Sequence, residues 1–359
     1  MNYRVAKILA PEDLGAAGTK VIDINIADVI SRIDIIFRTL NGDHGFDDHP
    51  AANITKIELV DGSDVLFSLN GRETQALNFY NRRQPPDNRL TGSMAEWMRA
   101  IYGLDFGRYL FDPVLAFDPT KFTNPQLKIT YDQNVANTSC DENYLTVQAH
   151  LFDEKKPTPT GFLMSKNIYT YTPSANAYEY LDLPTDHPIR TLLVGAHQEE
   201  RVFGQMIAEI RLSEDNDKRV PIDLTADELI YLVREMYPEY IENVYMYVTQ
   251  SDTYFRVTPS DDAVIIPNSV VSLQDVYALF LNGGKARAKN ESATATIYMI
   301  SKGYVPHGLA PIPIGNPDEI ADWYDVTKIG TLQIRIKAGA SVGTDPLNQI
   351  VTQQYRAYA

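Results

Sequence analysis

Asn124-Pro-Gln-Leu-Lys-Ile-Thr-Tyr131, followed after a polar turn by Tyr144-Leu-Thr-Val-Gln-Ala-His-Leu-Phe152, is the stretch that decides the fold. It has a counterpart about 205 residues later, where Gly330-Thr-Leu-Gln-Ile-Arg-Ile-Lys337 precedes Gln349-Ile-Val-Thr-Gln-Gln-Tyr-Arg-Ala-Tyr358. Leu127, Ile129 and Tyr131 alternate with polar neighbours, as Leu332, Ile334 and Ile336 do. That period of two turns one face of each strand to a core and the other to water. A unit that closes twice in the same way indicates a duplicated β domain.

Working outward, each half also opens on two β-rich runs. These are Thr19-Lys-Val-Ile-Asp-Ile-Asn-Ile26 with Ile30-Ser-Arg-Ile-Asp-Ile-Ile-Phe37, and Ile189-Arg-Thr-Leu-Leu-Val194 with Met206-Ile-Ala-Glu-Ile-Arg-Leu212. A turn of Asp, Asn and Gly character follows each pair, at Asn41–Gly45 and Ser213–Asp217. Ile54–Val60 and Val65–Leu69 read as a hairpin around Asp61-Gly62. Further strands are expected at 244–248, 254–257, 263–266 and 293–300, all β-branched or aromatic. Capping boxes predict three helices: Met94–Tyr102 opened by Ser93 and Glu96, Ala226–Met236 opened by Thr225 and Glu228, and Leu273–Leu281 opened by Ser272 and Asp275. The Pro-, Thr- and Tyr-rich stretch between Asp153 and Pro188 reads as a crossover. The plan is therefore a short arm over 1–18, a first domain over 19–157, a linker over 158–187 and a second domain over 188–359. Short strands at regular intervals with few helices give a mainly β class: two tandem eight-stranded antiparallel jelly rolls with a few short helices in loops.

Composition narrows the function. At 359 residues with 44% hydrophobic and 22% charged side chains, the chain can fill two ordinary cores. Its longest apolar runs, such as Val276–Leu281, fall far short of the ~20 residues a bilayer span needs, and no signal-peptide core precedes Pro11. A net charge of −15 argues against extensive direct contact with nucleic acid; the small basic groups at Arg82-Arg83 and Lys285–Lys289 read as solvated loops. The single cysteine, Cys140, forms no intrachain disulfide and reads as an inert thiol.

The densest group of potential ligands is Asp43, His44, Asp47, Asp48 and His49, but its spacing matches neither a helical His pair nor an EF-hand. With Gly42, Gly45 and Pro50 around it, the loop reads first as an inter-strand turn. His150, His187, His197 and His307 are isolated in sequence and read as structural. No nucleophile elbow, phosphate loop or dinucleotide fingerprint is present. The sequence thus assigns no catalytic residue, metal site or cofactor, and the expected class is not an enzyme. Tyrosine is the informative residue, with 22 copies against 13 Phe and 2 Trp. Tyr169, Tyr171, Tyr178 and Tyr180 crowd the crossover, and Tyr237, Tyr240, Tyr245 and Tyr247 crowd the segment after the second helix. Side chains that are packed on one side and wet on the other suit a protein interface, a sugar platform, or the strands' own sandwich.

Two β-rich halves that end alike, helices in loops and interface-like composition together resemble a double jelly-roll major capsid protein, of the lineage of tailless membrane-containing icosahedral phages and adenovirus. The resemblance is carried by Lys20–Leu40, by Asn124–Tyr131 and by Gly330–Tyr358, and covers the chain from about Thr19 onward. It implies a homotrimer whose six rolls form a pseudo-hexameric capsomer in a virion shell, assembled in the host cytoplasm. The partners it implies are neighbouring capsomers, penton and minor capsid proteins and an underlying viral membrane. Some members carry a long basic or amphipathic N-terminal helix; the residues before Thr19 contain Pro11 and Gly15, and Tyr3, Ile8 and Leu9 with Arg4 and Lys7 are expected to graze a neighbouring subunit in preference to a lipid surface. A carbohydrate-binding or carbohydrate-active double sandwich and a trimeric phage spike component are the competing readings.

Overall fold

The computed structural model describes residues 1–136, 139–268 and 275–358. The first roll contains β1 (Tyr3–Asp13), β2 (Ala17–Asp23), β3 (Ile30–Asn41), β4 (Ile54–Asp61), β5 (Asp64–Leu69), helix α1 (Gly71–Arg82), the short β6 (Leu90–Thr91), β7 (Trp97–Asp105), β8 (Pro125–Asp132) and β9 (Cys140–Phe152). The second begins with β10 (Gly161–Tyr171), β11 (Tyr178–Asp182), β12 (Ile189–His197), α2 (Phe203–Met206), β13 (Ile207–Glu214), β14 (Arg219–Thr225) and α3 (Ala226–Met236). An insert follows, with β15 (Tyr240–Val248), β16 (Thr253–Arg256), β17 (Pro259–Pro267), β18 (Val276–Phe280), β19 (Lys285–Asn290) and β20 (Ala295–Pro306). The second roll then closes with β21 (Leu309–Ile312), β22 (Leu332–Ala338) and β23 (Leu347–Ala357).

The strand orders define two jelly rolls. In the first, one layer runs β1-β9-β3-β7 and the other β2-β8-β4-β5; in the second, the layers are β10-β23-β12-β21 and β11-β22-β13-β14. The two orders are the same permutation of eight strands, so the duplication read from the closing couplets is a duplication of topology. β8 and β9 occupy the places of β22 and β23. The opening pairs are offset by one strand, because Thr19–Ile26 and Ile30–Phe37 fall on the second and third strands of their roll while Ile189–Val194 and Met206–Leu212 fall on the third and fourth of theirs. A parallel pairing of Phe67 with Ser165 and Ser68 with Lys166 fuses one layer of each roll into a single eight-stranded sheet. Alternation packs Ile33, Ile35 and Phe37 of β3 against Leu127 and Ile129 of β8, and one hydrophobic cluster runs through both rolls. The insert has a separate core between its two sheets, built on Val244, Met246, Val248, Phe255, Ile297 and Met299.

Four expectations are corrected. The arm over 1–18 is instead strand β1, paired antiparallel with β9 from Tyr3–Phe152 to Asp13–Tyr144. As an edge strand it keeps polar residues, and register shifts between Lys7 and Leu9 and between Leu9 and Glu12 break its alternation. The linker over 158–187 contains β10 and β11, and β10 is the strand at which the two rolls join. The helix at 94–102 is β7, because Met98, Ala100, Tyr102 and Leu104 all face the core at period two; Glu96 pairs with Arg89 instead of capping a helix. Of the helix expected at 273–281, Leu273 and its cap Ser272 lie outside the described residues, and Val276–Phe280 is strand β18. The helix at Ala226–Met236 forms as read, with Thr225 and Glu228 closing the capping box.

Candidate functional site

The Asp43–His49 loop does not converge on a point. Asp43 and Asp48 each accept a hydrogen bond from the following amide at 2.7 Å, and Asp48 also pairs with Arg72 of α1. His44 stacks on Tyr247 of the insert at 3.5 Å between ring centroids, while its Nδ1 accepts from the Met94 amide at 3.1 Å. Asp47 is exposed. His49 is buried, with Nδ1 accepting from the Ala51 amide at 3.0 Å and Nε2–H donating to the Thr258 hydroxyl oxygen at 2.9 Å. Among the described residues no group of three His, Cys, Asp or Glu side chains is placed to hold a metal ion. The loop is a tie between the first roll and the insert.

The histidines that stand alone in sequence do not stay apart in space. His307 meets His49 edge to face at 4.7 Å between centroids, and His197 lies beside Arg72 at 2.9 Å from its guanidinium. Positions 49, 197 and 307 belong to three distant segments, so no spacing rule links them in the sequence. His150 contacts Asp34 at 2.6 Å, and His187 lies 3.6 Å from Asp186. Burial pushes the Cys140 thiol up to about 11, with Asp141 and Asp132 adding to the shift against a hydrogen bond from Thr39; the thiolate is scarce at neutral pH.

Arg82 binds the buried Asp105, which Arg32 also reaches at 2.6 Å, and Arg83 pairs with Asp318 at 2.8 Å. Arg32, Arg82 and Asp105 border a cavity of about 490 Å³ on the outer face of β3 and β7, and there they pair with one another. The Lys285–Lys289 group is equally engaged: Lys285 with Glu200 at 2.6 Å, Arg287 with Asp252 at 2.8 Å and Lys289 with Glu291 at 2.9 Å.

The surface that stands out is apolar. In Tyr240-Ile-Glu-Asn-Val-Tyr-Met-Tyr-Val248 the even positions are buried, Val244, Met246 and Val248 in the insert's core, yet the odd positions include Ile241 and Tyr245. Cross-strand registry puts Ile241, Lys302 and Val264 in one row across the three strands and Asn243, Ile300 and Ile266 in the next, and sets Tyr245 opposite Tyr298, whose rings lie 5.0 Å apart. Ile241, Tyr245, Val264 and Ile266 are 51%, 40%, 47% and 43% exposed. Three strands thus present a largely apolar face to solvent, interrupted by Lys302 and Asn243, where an ordinary two-layer sandwich is polar. Tyr254, Tyr277 and Leu279 are exposed on the other layer of the insert, and Tyr178 and Tyr180 on β11. Of the tyrosines singled out from sequence, Tyr178, Tyr180 and Tyr245 are exposed, whereas Tyr237 and Tyr240 are buried in the shared core.

The strand order of both halves defines the class: the chain has the double jelly-roll fold, and the solved structures it resembles along its length are viral major capsid proteins. It matches the STIV major capsid protein over 100% of this chain and 98% of that one, at 11% identity and a TM-score of 0.61. The major capsid protein of Bacteriophage PM2 matches at 10% identity and a TM-score of 0.59, covering 99% of this chain and 98% of that one. PBCV-1 VP54, as fitted into a reconstruction of the virophage Sputnik, gives the same TM-score of 0.59 at 10% identity, with 99% and 94% covered. No protein-family model and no curated protein matches the sequence. No helix among the described residues is long and apolar enough to cross a membrane.

Proposed function

We propose that this chain is the major capsid protein of an icosahedral virus, a bacteriophage with an internal membrane, and that it acts by assembly without turning over a substrate. The observation that carries the reading is the eight-strand order repeated in both halves, shared over the full chain with viral major capsid proteins. Three copies of a two-roll chain supply six similar blocks around one axis, an outline that fits a hexagonal lattice. The homotrimer is the building block; neighbouring capsomers, penton and minor capsid proteins complete the virion shell, with the viral membrane beneath it. The exposed apolar face at Ile241, Tyr245, Val264 and Ile266 supports a subunit contact, because a surface of this character on a soluble chain marks an interaction site.

Light scattering after size exclusion, with negative-stain imaging of the same fractions, tests this. The expected outcome is a particle of three 40.4 kDa chains with a six-lobed outline, and larger closed or sheet-like assemblies at higher concentration. A persistent 40.4 kDa monomer at all concentrations refutes it.

A further inference from the structure

Both rolls and the insert meet where the insert is rooted, and three histidines occupy the junction. His49 comes from the loop after β3, His197 ends β12, and His307 lies in the turn that returns the chain from β20 to β21. His49, His307, Glu242 and Thr258 are all buried. Donor and acceptor roles assign the proton on each ring. The Ala51 amide donates to His49 Nδ1 at 3.0 Å, so His49 Nε2–H donates to Thr258 Oγ1 at 2.9 Å, and the Thr258 hydroxyl donates to Glu242 at 2.7 Å. Arg72 is only a donor, so His197 Nε2 accepts from it at 2.9 Å and the ring proton sits on Nδ1, which is buried without a partner. Gln75 turns its NH2 to Asn88 and the Ile101 carbonyl, leaving Oε1 to accept from His307 Nε2–H at 3.2 Å. A proton added to His197 has only the lone pair that faces a guanidinium.

The turn at this junction is strained. Val305 and His307 have φ of +55° and +53°, and Gly308 has +76°; positive φ is rare for a β-branched residue. A side chain at Gly308 would collide with the Ala196 carbonyl. The turn is held by hydrogen bonds from the His307 amide to the Thr258 carbonyl, from the Ala196 amide to the Gly308 carbonyl (both 2.8 Å) and from the Tyr80 hydroxyl to the Leu309 carbonyl at 2.7 Å. Such backbone persists only when its surroundings over-determine it, and the histidine cluster is part of that surround.

We propose that the junction of His49, His197 and His307 is an acid-released latch: its hydrogen bonds hold the root of the insert against both rolls, and protonating His197 and His307 frees the 305–308 turn while the jelly rolls stay folded. The charged groups facing the cluster are Asp48 and Arg72 from the first roll, Glu242 from β15, and Arg256 from β16 with its partner Glu199. Burial holds His197 down to about 3, with Arg72 and Arg256 reinforcing the shift and Asp48 opposing it. Burial likewise holds His307 well below the ordinary histidine range, assisted by His49, Arg72 and His197. A depressed folded value means that the latch contributes fully above pH ~6.5 and loses that contribution as the pH falls toward the folded value. At pH 4.5 one such imidazole favours an open state in which it is solvated by about 100-fold, and two by up to about 10⁴-fold. The latch belongs to the fold and stands whether or not the chain builds a shell.

Hydrogen exchange of the full-length protein between pH 8 and pH 4.5, read by mass spectrometry and corrected for the intrinsic pH dependence of exchange, tests it. The expected result is that amides at Ala196 and at 307–309 lose protection by 100-fold or more between pH 7 and 4.5, while β3 and β9 remain protected. A variant carrying His197→Gln and His307→Gln holds its root protection to lower pH than the wild type. Wild-type root amides that stay protected at pH 4.5, or that open together with β3, overturn the proposal without reference to the variant.

Discussion

Replacing Ile266 by lysine puts a charge in the middle of the exposed apolar face without touching either core. Ile266 lies opposite Ile300 and is 43% exposed, as part of a set with Ile241, Tyr245 and Val264 at 51%, 40% and 47%. At about half exposure each of these side chains offers on the order of 80 Å² to a partner, so the four bury about 320 Å² per contact and contribute roughly 8 kcal/mol gross at ~25 cal/mol/Å². Removing the Ile266 share costs about 2 kcal/mol, or roughly 30-fold per contact, before the cost of desolvating the ammonium is counted. In the proposed homotrimer a closed ring has three such contacts, so its trimerisation constant falls by at least about 10⁴-fold. Sedimentation equilibrium over a range of concentrations measures that constant, and thermal melting of the dissociated chain checks that the fold is intact. An unchanged trimerisation constant in a chain that melts normally refutes the assignment of this face to the subunit contact.

Other outcomes are equally specific. Phe117 is fully buried and stacks against Phe106 and Phe122 at 5.0 and 4.9 Å; Phe117→Ala lowers the unfolding free energy by about 3–5 kcal/mol, and an unshifted denaturation midpoint would contradict that packing. Burial raises Glu73 to about 6 against hydrogen bonds from Asn70 and Asn167 that lower it. Because a carboxyl raised in the folded state stabilises only while protonated, stability falls by about 2 kcal/mol in all as the pH rises from below 4 to above 7, a little over half of it between 4.5 and 6, and Glu73→Gln flattens that part of the urea-measured stability profile. Cys140 in the folded protein reacts with iodoacetamide at neutral pH far more slowly than a free thiol and accelerates only toward pH 11, a profile that a fast reaction at pH 7 would disprove.

The closing strands were legible because each has one buried and one wet face, so Leu127-Ile129-Tyr131 and Leu332-Ile334-Ile336 advertise their period. Helix α1 was not, because its apolar stripe of Ala76, Leu77, Phe79 and Tyr80 is short and polar residues, Glu73, Thr74, Gln75 and Asn78, are buried around it, which blurs the two-faced pattern. Its other local mark is the capping box from Asn70 to Glu73. β10 was hidden for a related reason: it is flanked by β5 and β23, a placement that depends on distant partners and not on its own composition. The apolar face did leave a trace. Val244-Tyr-Met-Tyr-Val248 has no polar alternation, which is how a strand covered on both sides reads, although the single chain covers only one. The histidine junction left none, since its members are joined by topology alone.

The eight-stranded sheet sets the order in which the molecule can be made. β23 lies between β10 and β12, and β9 between β1 and β3, so in both rolls the strand latest in sequence fills an inner place. During synthesis β10 and β12 must wait with open edges through more than 140 residues, from His197 to Leu347, before their common neighbour exists. Pairing across such separations is slow and leaves edges exposed to other chains. The same delay acts as a checkpoint, because a nascent chain cannot complete its second roll until the whole insert has been translated.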